Sequence, residues 1–156
     1  MIEKILVPVD SITFDNTLLA VENAIEFAKR HGKGGGPELI FIHVWNVDSD
    51  RISASDEKRL RRLRKNEMEG EFKEIEKMCE SEDVEEFKTK FYEGGEADKE
   101  IVSFAKENDV DLIVIGSGKI HDKTIQGKIK KFIYGSVTES VIHEAPCSIF
   151  VVRTKN

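Results

Sequence analysis

Two hydrophobic patterns alternate along the chain. Short continuous apolar runs, such as those within residues 3–9 and 38–45, are typical of strands buried on both faces of a sheet. Apolar residues at every third or fourth position, as at Phe14, Leu18 and Val21, instead predict a helix with one buried face. Strands are predicted over residues 3–9, 38–45, 85–92, 111–116 and 147–153, and helices over residues 14–31, 56–80, 97–108 and 135–144.

The order of these elements predicts the fold class. Strands that alternate with helices form a parallel sheet, because each helix carries the chain back across one face of it. We expect an α/β fold with a five-stranded, doubly wound parallel sheet, and we follow the hypothesis that the strand order is 3-2-1-4-5. Ligands bind such sheets beyond the carboxyl ends of the strands, where the strand order reverses. That crevice lies between the first strand, which ends at Pro8-Val9-Asp10, and the fourth, which ends at Ile115-Gly116.

The predicted helix at residues 56–80 has an uneven charge distribution. Residues 57–65 contain six lysines or arginines and one glutamate, whereas residues 67–86 contain ten acidic residues and two lysines. This surface is either a solvated face with local ion pairs or a docking surface, for example for a second copy of the chain. The apolar stripe that we expect to face the core consists of Leu60, Leu63, Met68, Phe72, Ile75 and Cys79.

Composition and charge narrow the class of protein. The 156 residues suffice for one domain with a full core, which we expect to span residues 1–156. A net charge of −6 argues against extensive nucleic-acid binding, and no apolar run approaches the ~20 residues of a membrane-spanning helix. The chain enters a strand pattern at once, so we expect no signal peptide, and its two cysteines favour a reduced, cytoplasmic setting.

Two glycine sites in the last third of the chain suggest a phosphate site. Gly116 follows a buried strand, and Gly135-Ser136 opens the last predicted helix. Glycine leaves the backbone open to close approach, and the first N–H groups of a helix attract anions. Between the two sites, residues 117–133 carry five lysines and one aspartate on an otherwise acidic protein. The alternative is an ordinary helix start with Ser136 as its N-cap.

With these features the chain resembles members of the universal stress protein family. The resemblance covers essentially its full length and is carried by residues 4–10, 43–44, 111–117 and, most specifically, 134–153. It implies an adenine-nucleotide alpha-hydrolase-like fold. It also implies a cytoplasmic homodimer, because many members pair their last strands and thereby cover an exposed sheet edge.

One branch of this family binds ATP through a motif of glycine, two residues, glycine, nine residues, glycine and then serine or threonine. Gly116 and Gly135 match the two ends of that motif. Lys119 stands where the second glycine is expected, and eighteen residues rather than twelve separate Gly116 from Gly135. The resemblance thus implies a nucleotide-binding member with an altered, longer phosphate loop, in which Gly118 or Gly127 stands in for the second glycine.

The resemblance also assigns roles to individual residues. Asp10 corresponds to an aspartate that reaches the ribose and a metal ion, and Val9 and Val44 correspond to contacts of the adenine. The expected ligand is ATP or AMP, with Mg²⁺ or Mn²⁺. The candidate nucleotide-binding residues are Pro8, Val9, Asp10, Val44, Ile115, Gly116, Gly127, Gly135, Ser136, Val137 and Thr138, and Asp10 is also the candidate metal ligand.

Two classes of function follow from these patterns. The first is a dimeric stress-response regulator that binds an adenine nucleotide. The second is a nucleotide-free protein–protein interaction module of the same fold, in which the longer loop fills the crevice or contacts a partner. Catalysis has little support: the chain has no Walker A, GxSxG or HExxH motif, so any ATP hydrolysis is expected to be slow. His43 is expected to be a packed or hydrogen-bonded core histidine.

Overall fold

A computed structural model describes residues 1–11, 14–30, 36–46, 53–118 and 134–153 of the chain. The elements alternate between strand and helix throughout, as the hydrophobic pattern predicts. In chain order they are β1 (Lys4–Pro8), α1 (Asp15–Arg30), β2 (Glu38–Trp45), α2 (Ala54–Ser81), β3 (Phe87–Glu93), α3 (Ala97–Glu107), β4 (Leu112–Gly116), α4 (Ser136–Glu144) and β5 (Ser148–Val152).

The five strands form one parallel sheet in the order β3-β2-β1-β4-β5, which confirms the predicted fold class and strand order. β1 lies at the centre, with Ile5 opposite Leu39 on one side and Leu112 on the other. The strand order reverses between β1 and β4. The carboxyl ends of these two strands therefore flank the crevice in which sheets of this kind bind ligands.

Two apolar clusters cover the two faces of the sheet. One combines α1 and α2 with one set of strand side chains, such as Val7, and the other combines α3 and α4 with the alternate set, such as Leu6. This alternation follows from the two-residue period of a strand, which places successive side chains on opposite faces. The central strands are apolar on both faces because each face is covered by one of these clusters.

The sheet is also tied together at its amino edge. The side chain of Asp111, which precedes β4, accepts hydrogen bonds from the backbone N–H groups of Glu3 and Lys4 at 2.8 and 3.0 Å. These bonds lower the pKa of the Asp111 carboxyl below its ordinary value, because they stabilise the charged form. Asp111 thus fixes the start of β4 against the start of β1.

Two expectations about the core are wrong. Leu63 of α2 keeps 47% of its surface exposed, and burial along α2 starts only at Met68. Phe14, expected on the buried face of the first helix, precedes α1 and is 40% exposed. In both cases the apolar spacing begins before the first buried residue of the helix, which is Thr17 in α1 and Met68 in α2. Among the described helices, none is long and apolar enough to cross a membrane.

Candidate functional site

A cavity of about 630 Å³ lies at the carboxyl edge of the sheet, where the strand order reverses. Its walls come from the ends of β1, β2 and β4 and from the starts of α1, α3 and α4. Its volume is typical of sites that hold a small organic ligand. The lining residues are Pro8, Val9, Asp10, Phe14, Asp15, Asn16, Thr17, Ile42, His43, Val44, Ala97, Ile101, Ile115, Gly116, Gly118, Val137 and Thr138.

Two glycines bring bare backbone to one end of this cavity. A Cβ atom on Gly116 would lie 2.9 Å from the backbone oxygen of Asn16, so no larger residue fits without a shift of the backbone. Gly118 has a φ of +81°, and a Cβ atom there would lie 2.8 Å from the Cα atom of Gly135. Gly116 therefore allows β4 to pack directly against the start of α1, and Gly118 allows the chain after β4 to pack directly against the start of α4.

The start of α4 supplies free backbone donors beside these glycines. Gly135 is the N-cap, with no side-chain cap bond, and Glu139 N–H makes the first bond to it, at 2.9 Å from the Gly135 oxygen. The backbone N–H groups of the first turn, from Ser136 to Thr138, precede this bond and have no carbonyl acceptor within the helix, as at the N-terminus of any helix. Ser136 is thus the first residue of the helix rather than its N-cap. The hydroxyl of Thr138 donates to the Gly116 carbonyl at 2.9 Å and fixes the helix end over β4.

The opposite end of the cavity, at β2 and α3, is mostly apolar. Ile42 and Val44 from β2 face Ala97 and Ile101 from α3 across this end. His43, between these two residues in β2, also lines the cavity, but its ring lies on the α1/α2 face of the sheet, and its Nδ1 atom lies 2.7 Å from the backbone oxygen of Val9. Its ring also stacks on Phe91 of the neighbouring strand, with 5.6 Å between ring centroids.

Carboxylates are sparse in the cavity. Asp10, at the carboxyl end of β1, is exposed and lines it, as does Asp15 from the first turn of α1. Within the described ranges, no group of three or more His, Cys, Asp or Glu side chains is placed to hold a metal ion. A divalent ion bound here would accordingly need oxygen ligands from the molecule that fills the cavity, in addition to Asp10.

The two cysteines lie outside the cavity and are not activated. Burial raises the pKa of the Cys79 thiol to about 12, and nearby Glu76 and Glu80 add to the shift. Burial also raises the pKa of Cys147. Because the thiolate is the nucleophile in cysteine chemistry, both groups are protonated and unreactive near neutral pH.

The structure brings most of the predicted site residues together. Eight line the cavity, whereas Gly135 and Ser136, at the start of α4, are not among its lining residues. Gly127 lies outside the described residues. Sequence analysis did not predict a further set of lining residues as part of the site, although Phe14, His43 and Gly118 had been named in other roles: Phe14, Asp15, Asn16, Thr17, Ile42, His43, Ala97, Ile101 and Gly118. The short connection from Asp10 to α1 was the available signal for the first four. The prediction that His43 is a hydrogen-bonded core histidine is confirmed.

Comparison with known proteins decides the family. A sequence model described as "Universal stress protein family" matches residues 1–153. The chain belongs to the universal stress protein family. Among curated members it is 31% identical to universal stress protein MJ0577 of Methanocaldococcus jannaschii, over 100% of this chain and 98% of that protein. It is 32% identical to MJ0531 of the same organism, over 97% of this chain and 82% of that protein.

Solved structures of the family share the fold. The structure of MJ0577 superposes with a TM-score of 0.75 at 27% identity, covering 100% of this chain and 99% of that one. The universal stress protein UspA of Lactobacillus plantarum gives a TM-score of 0.73 at 26% identity, with 97% of each chain covered. This agreement is consistent with an adenine-nucleotide alpha-hydrolase-like fold.

Two further members were crystallised with nucleotides. One is a universal stress protein in complex with cAMP, with 17% identity, a TM-score of 0.66 and coverage of 99% of this chain and 98% of that one. The other, from Archaeoglobus fulgidus, is in complex with dAMP, with 23% identity, a TM-score of 0.65 and coverage of 97% and 99%. At these sequence identities, the similarity shows that the two proteins share the fold of the present chain.

Proposed function

We propose that this universal stress protein binds an adenine nucleotide, ATP or AMP, in the cavity at the carboxyl edge of its sheet, and that it acts as a cytoplasmic stress-response regulator. The observation that carries the proposal is the division of the cavity into two ends. Bare glycine backbone and the free N–H groups of α4 suit phosphate oxygens at one end. An apolar end suits a purine ring at the other.

The spacing of the strands supports this orientation of the nucleotide. Neighbouring strands lie about 4.8 Å apart, so the ends of β2 and β4 are separated by about 10 Å, with β1 between them. The phosphates would lie at β4 and α4, the ribose at Asp10 after β1, and the base at Val44 of β2. The crystallised relatives with cAMP and dAMP are in keeping with a nucleotide ligand for this fold.

Asp10 is the proposed ligand of a divalent ion. Its carboxylate is exposed at the middle of the cavity, and a hard ion such as Mg²⁺ or Mn²⁺ is bound by carboxylate and phosphate oxygens together. The ion would offset the negative charge of the phosphates beside Asp10. We expect that charge balance to matter most for ATP, which carries more phosphate charge than AMP.

The altered, longer phosphate loop remains part of the proposal. Its residues 119–133 lie outside the described ranges, so its support comes from the sequence. Five lysines lie between Gly118 and Gly135 in the chain and would attract the phosphates by their charge: Lys119, Lys123, Lys128, Lys130 and Lys131. The positive φ of Gly118 favours this residue over Gly127 as the functional second glycine.

Homodimerisation through β5 is proposed on the shape of the sheet edge. β5 pairs with β4 on one side and forms the edge of the described sheet on the other. Phe150 on this strand is 50% exposed. A second copy that pairs with β5 would cover both the free backbone edge and this side chain.

Calorimetric titration tests the nucleotide proposal. Wild-type protein is expected to bind ATP, and Mg²⁺ is expected to strengthen this binding. Asp10→Asn removes the charge and keeps the shape of the side chain, so it should remove most of the magnesium effect while AMP binding without metal changes little. Absence of heat and of thermal stabilisation with millimolar ATP and AMP contradicts the proposal.

A second function rests on a different observation. The first part of α2, from Ser55 to Glu67, contains no buried residue, and it carries six basic side chains beside the exposed Leu63. Such a surface fits a nucleotide-free protein–protein interaction module. This function predicts that ATP and Mg²⁺ leave the melting temperature unchanged.

A further inference from the structure

The first half of α2 is exposed on all sides over about two turns. Every residue from Arg61 to Glu67 is exposed, and Leu63 among them keeps 47% of its surface accessible. Burial along the helix begins only at Met68. Helices in proteins owe most of their stability to the packing of one face, so this segment gains stability from any partner that covers it.

The same segment concentrates cations that lack a partner. Arg61 forms ion pairs with Glu57 at 3.2 Å and with Glu93 at 3.4 Å. Among the described residues, the other five basic side chains of the segment have no ion-pair partner: Lys58, Arg59, Arg62, Arg64 and Lys65. Like charges three or four residues apart on a helix repel each other. The arrangement therefore favours a partner that brings negative charge.

The second half of the same helix carries that negative charge. Residues 67–80 contain six glutamates and two lysines. Two copies of α2 that pack side by side in opposite directions bring the basic half of each against the acidic half of the other. Parallel copies would bring like charges together, which costs free energy. The charge distribution thus selects an antiparallel second copy as the partner.

The outward face of α2 offers a close contact near the centre of such a pair. Leu63 and Gly70 lie about two turns apart, on the side of the helix away from the buried Met68 and Phe72. A Cβ atom on Gly70 would meet nothing within 4 Å, so the fold of one copy does not require glycine here. Glycine is unfavourable inside a helix, but it lets a second helix approach closely. In an antiparallel pair, Leu63 of one copy lies over Gly70 of the other.

We propose that α2 is a self-association surface through which two copies of this protein pair as antiparallel helices, with a two-fold axis between Asn66 and Glu67. In such a symmetric interface every contact occurs twice. The facing pairs are all exposed in the single copy, and they are Leu63 with Gly70, Arg59 with Glu74, and Asp56 with Lys77. The inference rests on the interaction surface of the second proposed function and names its partner. It does not depend on nucleotide binding or on pairing through β5.

The contact is expected to be weak and sensitive to salt. One helix from each copy makes a smaller contact than a standard interface, which buries about 800 Å² per partner. Exposed ion pairs add little and are screened by salt. Glu74 already lies 3.7 Å from Lys77 of its own helix, but both side chains are more than half exposed and accessible to a second copy. Pairing is therefore expected at protein concentrations of about 0.1–1 mM.

Disulfide formation between introduced cysteines tests the alignment of the two helices. Cys147→Ser removes the partly exposed native thiol, and the buried Cys79 stays. Asn66→Cys in this background places a thiol beside the two-fold axis, next to its counterpart. Ser81→Cys instead places it about 40 Å from its counterpart. With oxidised glutathione, Asn66→Cys should form covalent dimers at least about tenfold faster, after correction for the reactivity of each thiol towards a small disulfide.

Charge reversal in the Asn66→Cys background tests the partner. Arg59→Glu and Glu74→Arg each turn two attractive contacts into repulsive ones, so each variant alone should cross-link about tenfold more slowly. An equimolar mixture of the two variants restores both attractive contacts in the mixed pair. Its rate should return to within about threefold of the parent, and mass spectrometry should find mostly the mixed dimer.

A matched pair of variants controls for net charge. Lys58→Glu and Glu69→Arg change the charge by the same amounts at exposed positions that lie more than a quarter turn away from Leu63 and Gly70. Their mixture should gain less than about twofold over the single variants. Circular dichroism establishes that every variant keeps its helices.

Each outcome supports or overturns the proposal. Equal rates for Asn66→Cys and Ser81→Cys overturn the antiparallel alignment. Single charge variants as fast as the parent, or a mixture no faster than its components, overturn the pairing of the two charged halves. These failures leave nucleotide binding and pairing through β5 intact. Conversely, stabilisation by ATP and Mg²⁺ contradicts a nucleotide-free module without bearing on the pairing of α2.

Discussion

The charge at position 137 should change ligand affinity and protein stability in opposite directions. Val137 lies in the first turn of α4 and lines the cavity, and it is 37% exposed, so polar side chains fit there without repacking the core. Substitution by Glu, Gln and Lys gives a series of similar length and similar helix propensity. Differences within the series therefore report charge.

The expected magnitudes follow from the position of this residue. A unit charge about 6 Å from a phosphate contributes about 1–2 kcal/mol at the effective dielectric constants of a partly exposed site, which is roughly 5- to 30-fold in affinity. Affinity for ATP should fall in the order Lys, Gln, Glu. Stability should rise in the same order, because a carboxylate in the first turn favours the helix dipole by about 0.3–1 kcal/mol and an ammonium opposes it.

Calorimetric titration and thermal unfolding of the same three proteins provide the assay. Measurements at low and high salt provide the control, since both differences should shrink as salt screens the charges. Equal affinities across the series would refute the placement of phosphate at α4. A Val137→Glu protein that bound ATP more tightly than Val137→Lys would refute it as well.

Three further predictions concern the fold and its assembly. Gly118→Ala should lower the free energy of unfolding by about 2 kcal/mol or more, because Gly118 has a positive φ and its Cβ would lie 2.8 Å from a backbone atom. The matched control Gly70→Ala, in α2 with open space around it, should raise the free energy of unfolding by about 0.5–1 kcal/mol. Denaturant titrations measure both changes. The pKa of Asp111 is lowered in the folded state, so its charged carboxylate stabilises the fold at pH values above the ordinary pKa of 3.8, and this stability is lost as the pH falls through the lower folded-state pKa. In thermal melts from pH 6 to pH 2, the wild type should therefore be more stable than Asp111→Asn at pH 6 and lose that advantage at the acid end. An advantage that stays constant with pH would contradict this prediction. Phe150→Asp should shift the sedimentation coefficient from dimer to monomer without a change in secondary structure by circular dichroism, and an unchanged coefficient would argue against pairing through β5.

Sequence patterns sufficed for the topology because each strand and each helix carries its own signal. The predicted strand at residues 38–45 coincides with β2 (Glu38–Trp45), whose apolar run is uninterrupted as far as Ile42. The alternation and the crossover rules predict a parallel, doubly wound sheet, and the strand order 3-2-1-4-5 was a hypothesis compatible with those rules. These rules use only the type and order of the elements, both of which are local properties.

The errors share a physical cause. The spacing of Leu60 and Leu63 reports an amphipathic helix, but it does not report where the sheet beneath that helix ends. In α2, Leu63 is left exposed, whereas Met68 is buried. Burial of a helix face depends on the length of its neighbours, which lies outside the local pattern.

The site was predictable in its strand-end and helix-start residues, and less so elsewhere. Asp10 and Gly116 end strands that must meet at the switch point, so topology alone brings them together. Gly118 required a backbone dihedral angle, and His43 required the contact between Nδ1 and the Val9 oxygen. Such features arise from three-dimensional packing and have no periodic signature.

Amide chemical-shift mapping tests the central claim most directly, because it reports where a nucleotide binds on the wild-type chain. On titration with ATP and Mg²⁺, the account predicts the largest proton–nitrogen shifts at Gly116, Gly118 and Val137, at the phosphate end of the cavity. The amide of Gly70, in the middle of α2, provides the internal control and should not move. Unchanged spectra at millimolar ATP, or shifts centred on α2 with the cavity amides unmoved, would contradict the account.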